Sequence, residues 1–131
     1  MIGIVIVSHS IKIAEGIVDL CYEMVDDSIK IIPAGGTNDG RIGTDPIKIK
    51  EAIEKAYDGD GVVVLVDIGS SLMNVDMAKE LLEEEIRLKV KILDTPIVEG
   101  SIGVAVEALI SNDIDKILEV AEEARITKKI R

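Results

Sequence analysis

Short β-branched runs alternate with amphipathic stretches along almost the whole chain. Ile2 to Val7 (IGIVIV) is a nearly continuous apolar run, the pattern of a strand buried on both faces, and it ends at Ser8-His9-Ser10. From Ser10 the spacing turns helical. Ile13, Ile17, Leu20, Cys21 and Met24 recur on one face, with Ser10 as N-cap and Asp26-Asp27 past the end. Ser28 to Ile32 reads as a second, shorter strand, followed by a glycine-rich polar loop from Pro33 to Asp45 (PAGGTNDGRIGTD). Asp45 as N-cap and Pro46 at the first helical position then open a helix to Tyr57.

Gly61 to Asp67 (GVVVLVD) is the clearest buried strand, and Gly69-Ser70-Ser71 launches a helix to about Glu85. Val90 to Leu93 is a fourth strand and Asp94 to Gly100 (DTPIVEG) a fourth loop. Helices over Ser101–Ile110 and Asp113–Arg125 follow, separated at Ser111-Asn112. Four strands, each followed by a helix, predict an α/β fold. The expected architecture is an open, mainly parallel four-stranded sheet of order 2-1-3-4, with right-handed crossovers and helices on both faces. Residues 1–131 show no repeat or low-complexity segment and read as one domain.

In an open parallel sheet, chemistry gathers beyond the carboxyl ends of the strands, near the point where the strand order reverses. Strands one and three are neighbours in the expected order, so His9 and Asp67 should meet there. A carboxylate accepting from one ring nitrogen leaves the other as a neutral, aimed nucleophile. The plainer role for Asp67 is a helix cap. Gly69-Ser70-Ser71 at a helix start offers N–H groups, hydroxyls and a positive dipole end, all suited to a phosphoryl oxygen.

The loop with Gly35, Gly36, Thr37 and Gly40 is not a Walker loop, because Arg41 and Ile42 stand where Lys and Ser/Thr are required. Nor is it a dinucleotide fingerprint, since it does not follow the first strand and open a helix. Its length suggests a lid or docking surface, with Arg41 as its one cation to offset phosphate charge. An aspartyl-phosphate receiver would carry an acidic pair after the first strand, where this chain has Ser8-His9. A serine hydrolase would need a nucleophile elbow, and none is found.

Composition narrows the partners. The net charge of -10 disfavours nucleic acid and anionic membranes, and the scarcity of aromatics, two Tyr with no Trp or Phe, leaves little to stack a base or a flavin. One His and one Cys cannot make a zinc site, so neither a metal nor a cofactor is expected. The lone Cys21 falls in a helical pattern as a buried hydrophobe, which with the lack of a signal segment reads as a cytoplasmic protein.

Gly3 to Ser10 (GIVIVSHS), Ala34 to Thr44 (AGGTNDGRIGT), Gly61 to Asn74 (GVVVLVDIGSSLMN) and Asp94 to Gly100 resemble, in order, the mannose-type IIA phosphocarrier domains of the phosphotransferase system. Within that group the likeness is to the phosphotransferase subunits of phosphoenolpyruvate-dependent dihydroxyacetone kinases. The resemblance implies that His9 accepts a phosphoryl group from phospho-HPr. Asp67 would orient it, and Gly35, Gly36, Thr37, Gly40, Arg41, Gly69, Ser70 and Ser71 would surround the phosphate or meet the partner. The group would pass to ADP on a nucleotide-binding subunit (DhaL) acting with DhaK, from a homodimeric carrier. Because this chain stops at Arg131, its donor is expected to be a separate protein. The alternatives are a sugar-transporting IIA component of the mannose class and a non-catalytic regulatory module of flavodoxin-like fold.

Overall fold

The computed structural model describes residues 1–130; Arg131, the last residue of the expected domain, lies outside the described residues. Four strands, β1 (Gly3–Ser8), β2 (Ile31–Gly35), β3 (Val62–Val66) and β4 (Val90–Leu93), form one parallel sheet in the expected order β2-β1-β3-β4. The alternating side chains of β1 divide the interior. Ile4 and Ile6 join Val63 and Leu65 on one face, and Val5 and Val7 join Val62 and Val64 on the other. Helices α1 (Ile11–Met24), α5 (Ile97–Ile110) and α6 (Ile114–Ile126) cover the first face; α2 (Pro46–Ala56) and α3 (Leu72–Glu80) cover the second. A short α4 (Glu84–Arg87) precedes β4. Each fully buried Ile or Leu contributes about 1.5–3 kcal/mol, so the aliphatic sandwich suffices as a core.

Register sets the site. Ser8 lies opposite Gly35 and Val7 opposite Val66, so the residues that follow, His9, Gly36 and Asp67, emerge side by side at the carboxyl edge.

Several elements depart from the sequence reading. On α1 the buried stripe is Ala14, Ile17, Val18 and Cys21, while Ile13, Leu20 and Met24 are exposed. The expected stripe is rotated, so that Ala14 and Val18 are buried in place of Ile13, Leu20 and Met24. Burial pushes the Cys21 thiol up to about 11, which makes it an inert hydrophobe.

The second strand begins three residues later than expected and includes Pro33. Ser28 is held in a turn by Asp26, and β2 is an edge strand, where a proline removes no ladder bond. The outer edge of β2 is blunted by side chains. Tyr22 Oη accepts from Ile31 N at 3.0 Å and donates to Ile29 O at 2.8 Å, and Lys48 Nζ donates to Gly35 O at 3.1 Å.

The helix expected from Gly69 to Glu85 is instead a 3-10 turn (Gly69–Ser71), α3 and α4. Leu82 turns inward at the break, and Glu84 and Glu85 restart the helix at its positive end. Helix α5 starts four residues before Ser101 and takes up most of the expected fourth loop. Pro96 precedes its first turn, and Gly100 serves packing, since a Cβ there would lie 2.4 Å from Thr95 Cγ2.

Candidate functional site

His9 follows the last residue of β1, whose backbone is fully paired on both sides, so the imidazole stands on a rigid base. The ring is partly buried, with 24% of its side chain exposed. Its Nδ1 lies 3.1 Å from Asp67 Oδ1, and its Nε2 lies 3.0 Å from Ser70 Oγ on the solvent side. With a carboxylate on Nδ1, the proton belongs on that nitrogen and the Nε2 lone pair is left to accept from Ser70.

Asp67 follows β3 and serves as the hub. Its Oδ2 accepts from His9 N at 2.9 Å and Ser8 Oγ at 3.0 Å. Its Oδ1 accepts from Ile68 N at 2.8 Å and Ser71 Oγ at 3.0 Å, besides facing the ring. Burial works to raise the pKa of this carboxyl. The donated N–H groups of His9 and Ile68, the His9 ring and the Ser8 hydroxyl outweigh it and bring the value down to about 2. Asp67 is therefore a firmly ionised acceptor rather than the cap of α3.

The two serines separate in role. Ser70 is exposed and reaches Nε2, whereas Ser71 is fully buried and holds Asp67 from behind, with its Oγ 3.2 Å from Nδ1. Only Ser70 is placed to meet a group on Nε2. Ser8, absent from the candidates read from the sequence, is also fully buried; its Oγ donates to Asp67 and accepts from Ser10 N at 3.1 Å. A serine ending an otherwise β-branched strand was the signal for it.

The glycine-rich loop forms the other wall. Gly36 N donates to Ser8 O at 3.2 Å and Gly43 N to His9 O at 2.8 Å, which brings main chain against the histidine. Gly35 lies within β2, and a Cβ there would come 2.7 Å from Ser10 O, so glycine lets the strand pass close to the start of α1. Gly36 and Gly40 take φ of +74° and +83°. Thr37 and Arg41 are committed within the loop. Thr37 Oγ1 donates to Asp39 Oδ1 and accepts from Arg41 N, while the exposed Arg41 guanidinium pairs with Asp39 at 2.9 Å rather than with the histidine.

Open apolar side chains rim the site: Ile42, at 76% exposure, on the loop, and Ile68, Leu72 and Met73 on the opposite wall. A cleft of about 430 Å³ runs from Asp67 and Ile68 to Asp94 and Thr95 between the ends of β3 and β4. Among the described residues no cluster of side chains suited to a metal ion is found, and no helix is long and apolar enough to cross a membrane.

A parallel sheet of this order, with a lone histidine held by a carboxylate at its carboxyl edge, makes this an α/β domain built around one imidazole. The family model described as PTS system fructose IIA component (EIIA-man) matches residues 3–118, and the chain belongs to that family. Its curated relatives include the phosphoryl donor subunit DhaM of PEP-dependent dihydroxyacetone kinase from Escherichia coli, 42% identical over 98% of this chain. The corresponding subunit of Klebsiella michiganensis is 40% identical over 100% of it. This chain spans 28% of the length of each of those two proteins. It spans 95% of a DhaM subunit from Listeria innocua, which is 41% identical over 91% of this chain.

Among solved structures, a protein of unknown function, EF1359, superposes with a TM-score of 0.85 at 35% identity, covering 97% of this chain and 96% of that one. The EIIA component from Streptococcus agalactiae shares the fold, with a TM-score of 0.69 at 17% identity over 95% and 92% of the two chains.

Proposed function

We propose that this chain is a phosphohistidine carrier that takes a phosphoryl group from phospho-HPr on His9 Nε2. It then delivers the group to ADP held by a nucleotide-binding kinase subunit (DhaL) acting with DhaK in the cytoplasm. The observation that carries this reading is the polarity of the imidazole: Nδ1 faces the ionised Asp67 and Nε2 faces outward beside Ser70. The names of the DhaM relatives supply the acceptor system, dihydroxyacetone kinase.

In the loading step the Nε2 lone pair attacks phosphorus. A P–N bond forms as the bond from phosphorus to the donor breaks, and that electron pair leaves with the donor. The ring keeps its Nδ1 proton and gains positive charge, which the Asp67 carboxylate offsets without itself taking the proton. Ser70 Oγ, released from the lone pair, turns its hydroxyl toward a phosphoryl oxygen. In delivery a terminal phosphate oxygen of ADP attacks, the P–N bond breaks and its electron pair returns to Nε2. No proton needs to leave the dyad in either direction. The nucleotide comes from the partner, because phosphoryl transfer to ADP needs a base pocket and cation-assisted phosphate binding that the site residues do not supply. The open rim of Ile42, Ile68, Leu72 and Met73 suits a small, short-lived contact with each partner in turn. A homodimer belongs to the same reading and is supported by the exposed Ile13, Leu20 and Met24 of α1; sedimentation tests it.

The experiment is incubation with phospho-HPr followed by intact mass, then ADP and magnesium with and without DhaL. One acid-labile phosphoryl group on wild type, none on His9→Ala, and ATP only with DhaL are expected. Phosphate uptake by His9→Ala, or rapid ATP formation by the chain alone, overturns the reading. Transfer to a sugar-system IIB protein in place of DhaL moves the chain to the sugar-transporting class.

A further inference from the structure

The glycine-rich loop is pinned to its surroundings mostly through main chain. Gly36 N and Gly43 N bond Ser8 O and His9 O, and inside the loop Gly40 N donates to Thr37 O at 3.0 Å and Thr37 N to Arg41 O at 2.9 Å. At its far end the connection changes character. Asn74, three residues past Ser71 in the first turn of α3, donates from Nδ2 to Thr44 Oγ1 at 2.6 Å and to Thr44 O at 3.2 Å. Asparagine is an indifferent helix former, and nothing in α3 itself calls for it at this position.

We propose that Asn74 is a positioning residue: its amide fixes the glycine-rich loop against the serine turn and so sets the surface on which partners approach His9. The inference rests on the phosphocarrier reading. The serine turn supplies Ser70 and Ser71; the loop supplies Gly43 against His9 and, beside it, the exposed Arg41 and Ile42. These two walls belong to different strand-end connections, and the side chain of Asn74 spans them. Thr44 is followed directly by Asp45, whose Oδ1 accepts from Ile47 N to cap α2, so the same bond also holds the start of α2 beside the start of α3.

The catalytic dyad makes no use of this link. Among the described residues, Nδ1, Nε2 and the Asp67 carboxylate bond only to one another, to Ser8, Ser70 and Ser71, and to the N–H groups of His9 and Ile68. Loss of Asn74 therefore leaves the ring chemistry in place and loosens the surface a partner must match. Each docking event then has to order the loop, which weakens encounter before it slows the chemical step.

The test uses the full chain as Asn74→Ala and Asn74→Asp. The second loses both donated bonds and offers in their place a carboxylate that can accept from the Thr44 hydroxyl, so it falls between wild type and Ala. Three measurements are made: amide hydrogen exchange of the 36–45 segment, the ¹⁵N shifts of the sole imidazole, and phosphoryl transfer from phospho-HPr at varied donor concentration. For Asn74→Ala, exchange in 36–45 and the KM for the donor both rise by about tenfold, with kcat and the His9 ¹⁵N shifts close to wild type. Exchange in β1 and β3 stays as in wild type, which shows the fold intact. Unchanged loop exchange, an unchanged KM, or a fallen kcat accompanied by moved ¹⁵N shifts overturns the proposal. If wild type takes no phosphate from the donor, the phosphocarrier reading fails separately, and a loop exchange that ignores Asn74→Ala still sinks the latch.

Discussion

Asp67 grips His9 at two points: Oδ1 lies 3.1 Å from the ring Nδ1, and Oδ2 accepts the main-chain N–H of the same residue at 2.9 Å. One carboxylate thus orients the imidazole and also fixes the backbone that carries it. Ser8 and Ser71 in turn hold one oxygen each. Asp67 has too many donors around it for a neutral amide to replace it silently.

Asp67→Asn is expected to cost about 2 kcal/mol of stability, because an amide NH₂ must face groups that now donate to an oxygen. Phosphoryl transfer should fall by roughly 10²- to 10⁴-fold as the fixed Nδ1–H tautomer is lost. Urea denaturation, single-turnover transfer and the ¹⁵N shifts of the ring measure the three effects. A variant with wild-type transfer rates would reduce Asp67 to a local structural acceptor.

The depressed Asp67 value sets a direction for acid stability. It is 3.8 for the free group and about 2 in the fold, so in this window the unfolded chain binds more protons. The contribution is complete above about pH 4 and is lost as pH falls toward 2; the shift corresponds to about 2 kcal/mol. Asp67 is only 15% exposed, so solvent screening discounts this little. Denaturation midpoints measured from pH 5 to pH 2 should fall less steeply in Asp67→Asn than in wild type. Parallel curves would contradict the assignment.

Ser70→Ala and Ser71→Ala should differ in kind. Exposed Ser70 bonds Nε2, so its loss should slow transfer by roughly 10²-fold, in the range of one lost transition-state donor, with stability nearly unchanged. Buried Ser71 supports Asp67, so its loss should cost about 1–3 kcal/mol and affect transfer only through the carboxylate. Thermal melts set beside single-turnover rates separate the two. Equal effects of both variants on both quantities would show the serines to be interchangeable.

Gly3→Ala probes the sheet far from the site. A Cβ built on Gly3 lies 2.1 Å from Ala56 O at the end of α2, and main chain there has to move to admit it. A loss of about 1–3 kcal/mol or more is expected from this overpacking. Folded variant protein should still carry phosphate on His9. A melting temperature equal to that of wild type would mean that α2 yields at no cost.

The strand order, Asp45 and Pro46 at the start of α2, Ser10 as the cap of α1 and the meeting of His9 with Asp67 were all legible in the sequence. Each follows from local chemistry or from the rules of parallel sheets. A β-branched run buries on both faces, a proline suits the first turn of a helix, and neighbouring strands deliver their terminal residues to one edge. Where Pro33, Pro96 and Gly100 read as loop signals, tertiary context decided otherwise. An edge strand tolerates the first, a helix start the second, and close contact with Thr95 demands the third. The composition of the site was decided the same way. Ser70 and Ser71 are neighbours with the same side chain, and only the 3-10 turn places one on Nε2 and the other behind Asp67. Asn74 carried no local signature, and the serine that ends the first strand's apolar run did not name its partner, because a hydrogen bond between residues 59 or 30 positions apart depends on the register of strands and the packing of helices, which periodicity along the chain does not encode.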